Sequence, residues 1–267
     1  MLNLFLSQRD QRRPDVAKPQ ILLFGDSHVY AVQRAVERRT VKGQPVPLSA
    51  HRLLKTKNDV VMGDTSFEDF LKLAGALKES DTVISMIGGN QHAVFSTIQH
   101  PQPFSFLLPG DKPEPGAGAI GLIPYRTLAD HFDAGIRGRD GKSLTALREA
   151  TRARVVHLQP PPPKRDNQHI LLHHESNFAN EGITTLGVSP PELRLKFWRL
   201  QSVLLEALCT SLGIDVLPPP PDALDPDGFL LPEFYASDAT HANPAYGELV
   251  LQQVEQNLCA PASAVLS

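Results

Sequence analysis

Cysteine is scarce in this chain: Cys209 and Cys259 are the only two in 267 residues. A disulfide framework or a cysteine-rich metal centre needs more of them, so two free thiols in a reducing compartment are expected. An excess of positive charge is missing as well. Twenty-six Lys and Arg stand against 29 Asp and Glu, a net charge of -3, which leaves no basic footprint for nucleic acid and no polybasic patch for anionic membrane. Long hydrophobic runs are lacking too. The apolar opening Met1-Leu2-Asn3-Leu4-Phe5-Leu6 meets Arg9, Asp10, Arg12 and Arg13 at once. Neither a signal peptide nor a membrane span is expected, and the expected location is cytoplasmic.

Proline, by contrast, is plentiful at 24 residues, and its placement outlines the fold. Pro160 to Pro163 follow the apolar run Arg154 to Leu158, and Pro218 to Pro221 follow Ile214 to Leu217. Consecutive prolines supply no ladder N–H groups, so they end strands and mark loops at one edge of a sheet. Three earlier apolar runs read as strands in the same way: Ile21 to Phe24, Asp59 to Met62 and Thr82 to Ile87. Between the five runs lie helical spacings over His28 to Arg39, Phe67 to Leu77, Pro124 to Ile136, Lys142 to Thr151 and Pro191 to Leu212, with a last helix over Pro244 to Leu258. Strand and helix in alternation predict a central, mostly parallel five-stranded sheet covered by helices on both faces. A single domain over residues 1–267 is expected, with loop insertions around 99–121, which is rich in Pro and Gly, and around the polar stretch 164–187.

Open parallel sheets collect ligands beyond the carboxyl ends of their strands. Ser27, Gly63 and Asn90 each fall just after an expected strand, and Asp238 and His241 lie three apart near the other end of the sequence. A serine hydroxyl becomes a nucleophile when an imidazole takes its proton, and the imidazole needs a carboxylate to fix its tautomer and stabilise the cation. Ser27 would open a helix, where free N–H groups favour an oxyanion; Gly63 would offer an unobstructed N–H, and Asn90 a directed amide donor.

These blocks resemble the SGNH hydrolases, the GDSL esterase/lipase superfamily. Gly25-Asp26-Ser27 is similar to the first family block, Gly63-Asp64-Thr65-Ser66 to the second, Gly88-Gly89-Asn90-Gln91 to the third, and Asp238-Ala239-Thr240-His241 to the last. The resemblance implies a three-layer, flavodoxin-like sandwich. It also implies Ser27 as nucleophile, His241 as base, Asp238 as its orienting acid, and Ser27, Gly63 and Asn90 as the oxyanion hole, with no metal and no cofactor. It covers roughly the first hundred residues and the last thirty. The third block usually ends in Asp where Gln91 stands, proline commonly follows the base directly, and the residue after the nucleophile is usually apolar where His28 stands. Gly-Asp-Ser-His resembles the form in members that handle O-acyl groups on glycans, so the expected substrate is a short O-acyl ester, possibly on a glycan. Acyl transfer to another alcohol is open to the same site.

Two other function classes fit parts of the pattern. Asp26, His28, Asp64, Asn90 and His92 loosely imitate the ligand set of a metal-dependent phosphoesterase, and a hydrolase fold without turnover would serve as a binding module. Each residue also has a plain structural role: Ser27 as a turn or cap residue, Asp26 as a hydrogen-bond acceptor, Asp238 with His241 as a surface ion pair, and Gly63 as a loop glycine. His169, His173 and His174 form the densest histidine cluster. A zinc site on a helix face is weighed there against a solvated loop, which the nearby Asn and Gly residues favour. Phe197 and Trp198 are expected in the core, and Arg12-Arg13 and Arg38-Arg39 as solvated charges.

Overall fold

Fourteen apolar side chains line five short parallel strands in the computed structural model, which describes residues 20–57, 59–112 and 121–258. Along the chain run β1 (Ile21–Gly25), α1 (Val29–Val41), β2 (Leu48–Arg52), β3 (Lys55–Lys57), β4 (Val60–Met62), α2 (Phe67–Gly75), β5 (Thr82–Met86) and α3 (Gln91–Ser96). Then come β6 (Phe104–Ser105), β7 (Gly121–Leu122), α4 (Tyr125–Ile136), α5 (Lys142–Ala150), β8 (Arg154–Leu158), α6 (Asn167–Leu172), α7 (Ser176–Asn180) and α8 (Ile183–Leu186). The long α9 (Pro191–Ser211), β9 (Asp215–Leu217) and α10 (Pro244–Leu258) complete the series. The main sheet has the order β2-β1-β5-β8-β9 with every pairing parallel. Counting only its own strands, that is the doubly wound order 2-1-3-4-5, whose direction reverses beside β1 and places a crevice there. The expected α/β sandwich is therefore present.

Each face of the sheet carries its own core. On one face Ile21, Leu23, Ile84 and Met86 pack with Val32 and Ala35 of α1 and with Tyr246 and Val250 of α10. On the other, Phe24 and Val83 meet Phe70 of α2, Leu144 and Leu147 of α5 and Leu205 of α9. Phe24 and Phe70 are fully buried and stack at 4.0 Å; burying a ring of that size stabilises by about 1.5–3 kcal/mol. The helices α1 and α10 approach so closely at Gly247 that a Cβ there would overlap the backbone of Ala31 and Val32. Arg39 fastens the same pair through Glu248 at 2.9 Å and Glu255 at 2.6 Å. Arg39 is thus a paired, mostly covered cation and not the solvated charge expected, because α10 brings two carboxylates against it; Arg38 is exposed.

Three other expectations are corrected. The second sheet strand is Leu48–Arg52, not Asp59 to Met62. As an edge strand it pairs on one side and turns only Leu48 and Ala50 toward the core, too short an alternation to stand out. Val60–Met62 instead pairs antiparallel with Lys55–Lys57 in a hairpin outside the main sheet, and Val60 and Val61 are exposed. Within the stretch read as a loop over 99–121, β6 and β7 form a two-residue parallel ladder. The segment 164–187 contains α6, α7 and α8, because Ile170, Phe178 and Ile183 bury a small core of their own against Ala239. The amino-terminal apolar stretch, Arg12-Arg13, the Pro and Gly residues between 113 and 118, and Cys259 lie outside the described residues. Cys209 is a buried free thiol, Phe197 is fully buried, and Trp198 donates to the Pro160 carbonyl. Among the described residues no helix is long and apolar enough to cross a membrane.

Candidate active site

The chain turns sharply after β1: the N–H groups of Val29 and Tyr30 donate to the carbonyls of Asp26 and Ser27, each at 3.2 Å, so Ser27 occupies the turn that opens α1. Asp26 is a tie between loops. It forms an ion pair with Lys55 at 2.5 Å and accepts the Gly88 N–H at 3.4 Å. The Gly88–Gly89 pair ends β5 with both residues in the left-handed region, φ 80° and 98°, a course that side-chain-bearing residues resist, and Asn90 follows at the head of α3.

The carboxyl-terminal partner comes from the loop before α10. Asp238 Oδ1 accepts the N–H of Thr240 at 3.0 Å and of His241 at 2.7 Å, a local Asx-type turn that fixes the carboxylate. Ala239 is buried between Ile170, Phe178 and Ile183, which pins the loop to α6–α8. His241 Nδ1 then lies 2.8 Å from Asp238 Oδ2, and its Nε2 lies 2.7 Å from Ser27 Oγ. With Nδ1–H donated to the carboxylate, Nε2 is left to accept the serine hydroxyl. Ser27, His241 and Asp238 are therefore one hydrogen-bonded chain between residues 214 positions apart.

Burial works against the charge of Asp238. The hydrogen bond and charge of His241, the His241 backbone N–H and Lys164 outweigh it and hold the carboxyl well below the usual range. Lys164 is almost wholly enclosed. Its Nζ donates to the carbonyls of Ala236, at 2.8 Å, and Asp238, and lies 3.2 Å from His169 Nε2. Burial pulls its pKa down to about 8, against the charges of Asp238 and Glu175.

Asn90 and His28 meet at 3.1 Å, Oδ1 to Nε2. Burial foremost, then the neighbouring His241 and His92, lowers the His28 pKa to about 3, so the ring is neutral with its proton on Nε2 for Asn90. That bond leaves the Asn90 amide NH2 free to point elsewhere. Gln91 itself lies against Gly135 of α4. Among the described residues the N–H groups of Ser27 and Gly63 are donated to no protein acceptor. Gly63 has φ 97°, and a Cβ there would strike the Leu53 and Arg52 carbonyls, so packing alone accounts for glycine at that position.

A cavity of about 370 Å³ opens over Ser27, Asn90 and His241. Its lining includes the apolar Leu53, Met62 and Val94 and the polar Glu175, Asn177 and Thr240. Gly63 is not in the lining, although Met62 before it is. The hairpin β3–β4 is an excursion: Leu53 bridges Thr65, and Asp64 and Thr65 both donate to the Arg52 carbonyl, at 2.8 and 3.2 Å. The second block thus returns to the carboxyl end of β2.

The phosphoesterase set does not assemble. Asp64 is occupied by Gln33, Thr65 and the Arg52 N–H, and His92 is buried, with its backbone N–H on Gln201. Among the described residues the one group of three metal-type donors is Glu175, Asp238 and His241. In the histidine cluster His169 stacks on His173 at 4.4 Å and turns Nε2 toward the Lys164 ammonium, on α6 and not in a solvated loop. Lys164 and Glu175 escaped the sequence reading, since neither belongs to a motif or sits at a telling spacing.

No family model matches this chain, and no curated protein matches it. Among solved structures, phospholipase A1 from Streptomyces albidoflavus NA297 is 13% identical with a TM-score of 0.46, over 89% of this chain and 99% of that one. A carbohydrate acetylesterase from Sinorhizobium meliloti is 15% identical at 0.42, over 90% and 98%. A GDSL-like lipase from Bacteroides thetaiotaomicron VPI-5482 is 10% identical at 0.40, over 90% and 87%.

Proposed function

We propose that the protein is a serine ester hydrolase of the SGNH type, working through an acyl-enzyme on short O-acyl esters. The observation that carries this is the unbroken chain from Ser27 Oγ through His241 to Asp238, at 2.7 and 2.8 Å, the geometry that nucleophile activation requires. His241 Nε2 takes the Ser27 proton as Oγ bonds to the ester carbonyl carbon. The carbonyl oxygen becomes an oxyanion facing the Ser27 N–H and the Asn90 amide, with Gly63 N–H as a third donor. The tetrahedral species then collapses: the C–O bond to the alcohol breaks, His241 returns the proton to that oxygen, and Ser27 stays acylated. Water, deprotonated by the same imidazole, repeats the sequence and frees the acid; an alcohol in its place receives the acyl group. No step calls on a cofactor.

The alcohol leaves on the side of His241, where Asn177 and Thr240 offer hydrogen bonds, and the acyl group lies toward Leu53, Met62 and Val94. A small apolar pocket beside a polar rim suits an O-acetyl group on a hydroxylated alcohol, as does the Gly25-Asp26-Ser27-His28 block. The test is hydrolysis of p-nitrophenyl acetate and of acetylated sugars, with a fluorophosphonate adduct mapped to Ser27 by mass spectrometry. Folded protein that turns over no short ester and takes no label overturns the reading.

A further inference from the structure

Asp238 is not the only carboxylate at the imidazole. Glu175, just before α7, places Oε1 3.8 Å from His241 Nδ1 and accepts the Thr240 hydroxyl at 3.3 Å. Its Oε2 is sealed from solvent and has no hydrogen-bond partner among the described residues. A buried carboxylate oxygen to which no protein group donates is poorly compensated in the resting protein. A positive charge forming on the adjacent ring compensates it.

We propose that Glu175 is a second carboxylate serving His241, a positioning residue that stabilises the imidazolium formed during turnover. Asp238 Oδ1 is spent on two backbone N–H groups and Oδ2 on Nδ1, so Asp238 fixes the ring's orientation. Glu175 makes no direct bond to the ring and contributes its charge across 3.8 Å in a partly covered site, where such a charge is weakly screened. The other groups around His241 do not cancel this. His28, with its ring centre 4.9 Å away, is neutral, and Ser27 adds a hydroxyl. Lys164 lies behind Asp238 with Nζ 3.8 Å from Oδ1. Arg52, Lys55 and Asp26 line the cavity, the last two paired with each other.

The inference rests on the hydrolase reading for its effect on rate, but its electrostatic part is measurable without turnover. An NMR titration of the His241 ring reads it directly. Glu175→Gln removes a negative charge, disfavours the protonated ring and moves the midpoint to lower pH by about one unit. In steady-state assays with p-nitrophenyl acetate, Glu175→Gln lowers kcat about tenfold with KM unchanged, and lowers it about a hundredfold further in an Asp238→Ala background, where the ring has only Glu175 to lean on. An unmoved midpoint in a folded Glu175→Gln protein overturns the proposal. So does an effect confined to KM, which makes Glu175 a substrate contact, or an equal kcat loss in both backgrounds. A shifted midpoint in a protein that hydrolyses no ester keeps the carboxylate pair and removes only the hydrolase reading.

Discussion

The two sides of Ser27 are built from opposite materials. On the side of α3, His28 and Asn90 are neutral, and His28 is buried with its Nδ1 unpartnered among the described residues. On the side of the loop before α10, His241 is a quarter exposed and stands among Asp238, Glu175 and Lys164. Two imidazoles 4.9 Å apart are thereby given different work. The neutral side presents N–H donors where negative charge would form, and a carboxylate there would repel it. In the proposed mechanism the charged side receives a proton, and its carboxylates would favour that. Surroundings, not residue type, would then assign the base.

The contrast breaks most visibly at His241. His241→Gln is expected to lower kcat for p-nitrophenyl acetate by about 10⁴-fold, since the hydroxyl then has no acceptor of its proton; a loss under tenfold would move the base elsewhere. His28 sharpens it. His28→Leu leaves Asn90 unaimed, and a loss of about 10- to 100-fold in kcat is expected, below the 10²- to 10³-fold typical of deleting an oxyanion donor. If His28→Leu proves as inactive as His241→Gln, the two rings share one role and the division fails.

The smallest effect concerns stability. Burial foremost lowers His28 to about 3 and His92 and His157 to about 4, from 6.5. Below pH 6.5 the unfolded chain binds protons that the folded one refuses, so the contribution is complete above pH 6.5 and is lost as pH falls toward 3–4. At pH 5 each ring has forfeited about 2 kcal/mol. Urea melts at pH 7 and pH 5 measure the loss. His157 is fully buried within β8 and both of its ring nitrogens lack partners among the described residues, so His157→Leu is expected to flatten the dependence; an unchanged slope would show that this ring does not contribute.

Strands that lie in the middle of a sheet announce themselves: β1, β5 and β8 are apolar on both faces, and their ends carry Ser27, Asn90 and the prolines. Edge and excursion do not. β2 has a single buried residue, Leu48, and the exposed pair Val60–Val61 imitates a core strand without entering one. The pairing of Asp238 with His241 was legible because the two lie three residues apart in one block. Glu175 and Lys164 reach the same site from separate loops through tertiary packing, which a linear pattern does not encode. His28 was visible as a departure at its position; only its contact with Asn90 gives the departure a purpose.

The hairpin Lys55–Met62 leaves the sheet at Leu53 and comes back to it at Thr65, with the closure made by Arg52 and Asp64. The sheet does not depend on what lies between those points, yet Lys55 and Met62 form part of the pocket wall. This segment is a replaceable cassette: a change in its length or composition would reshape the pocket wall while Ser27, His241 and Asp238 stay where they are.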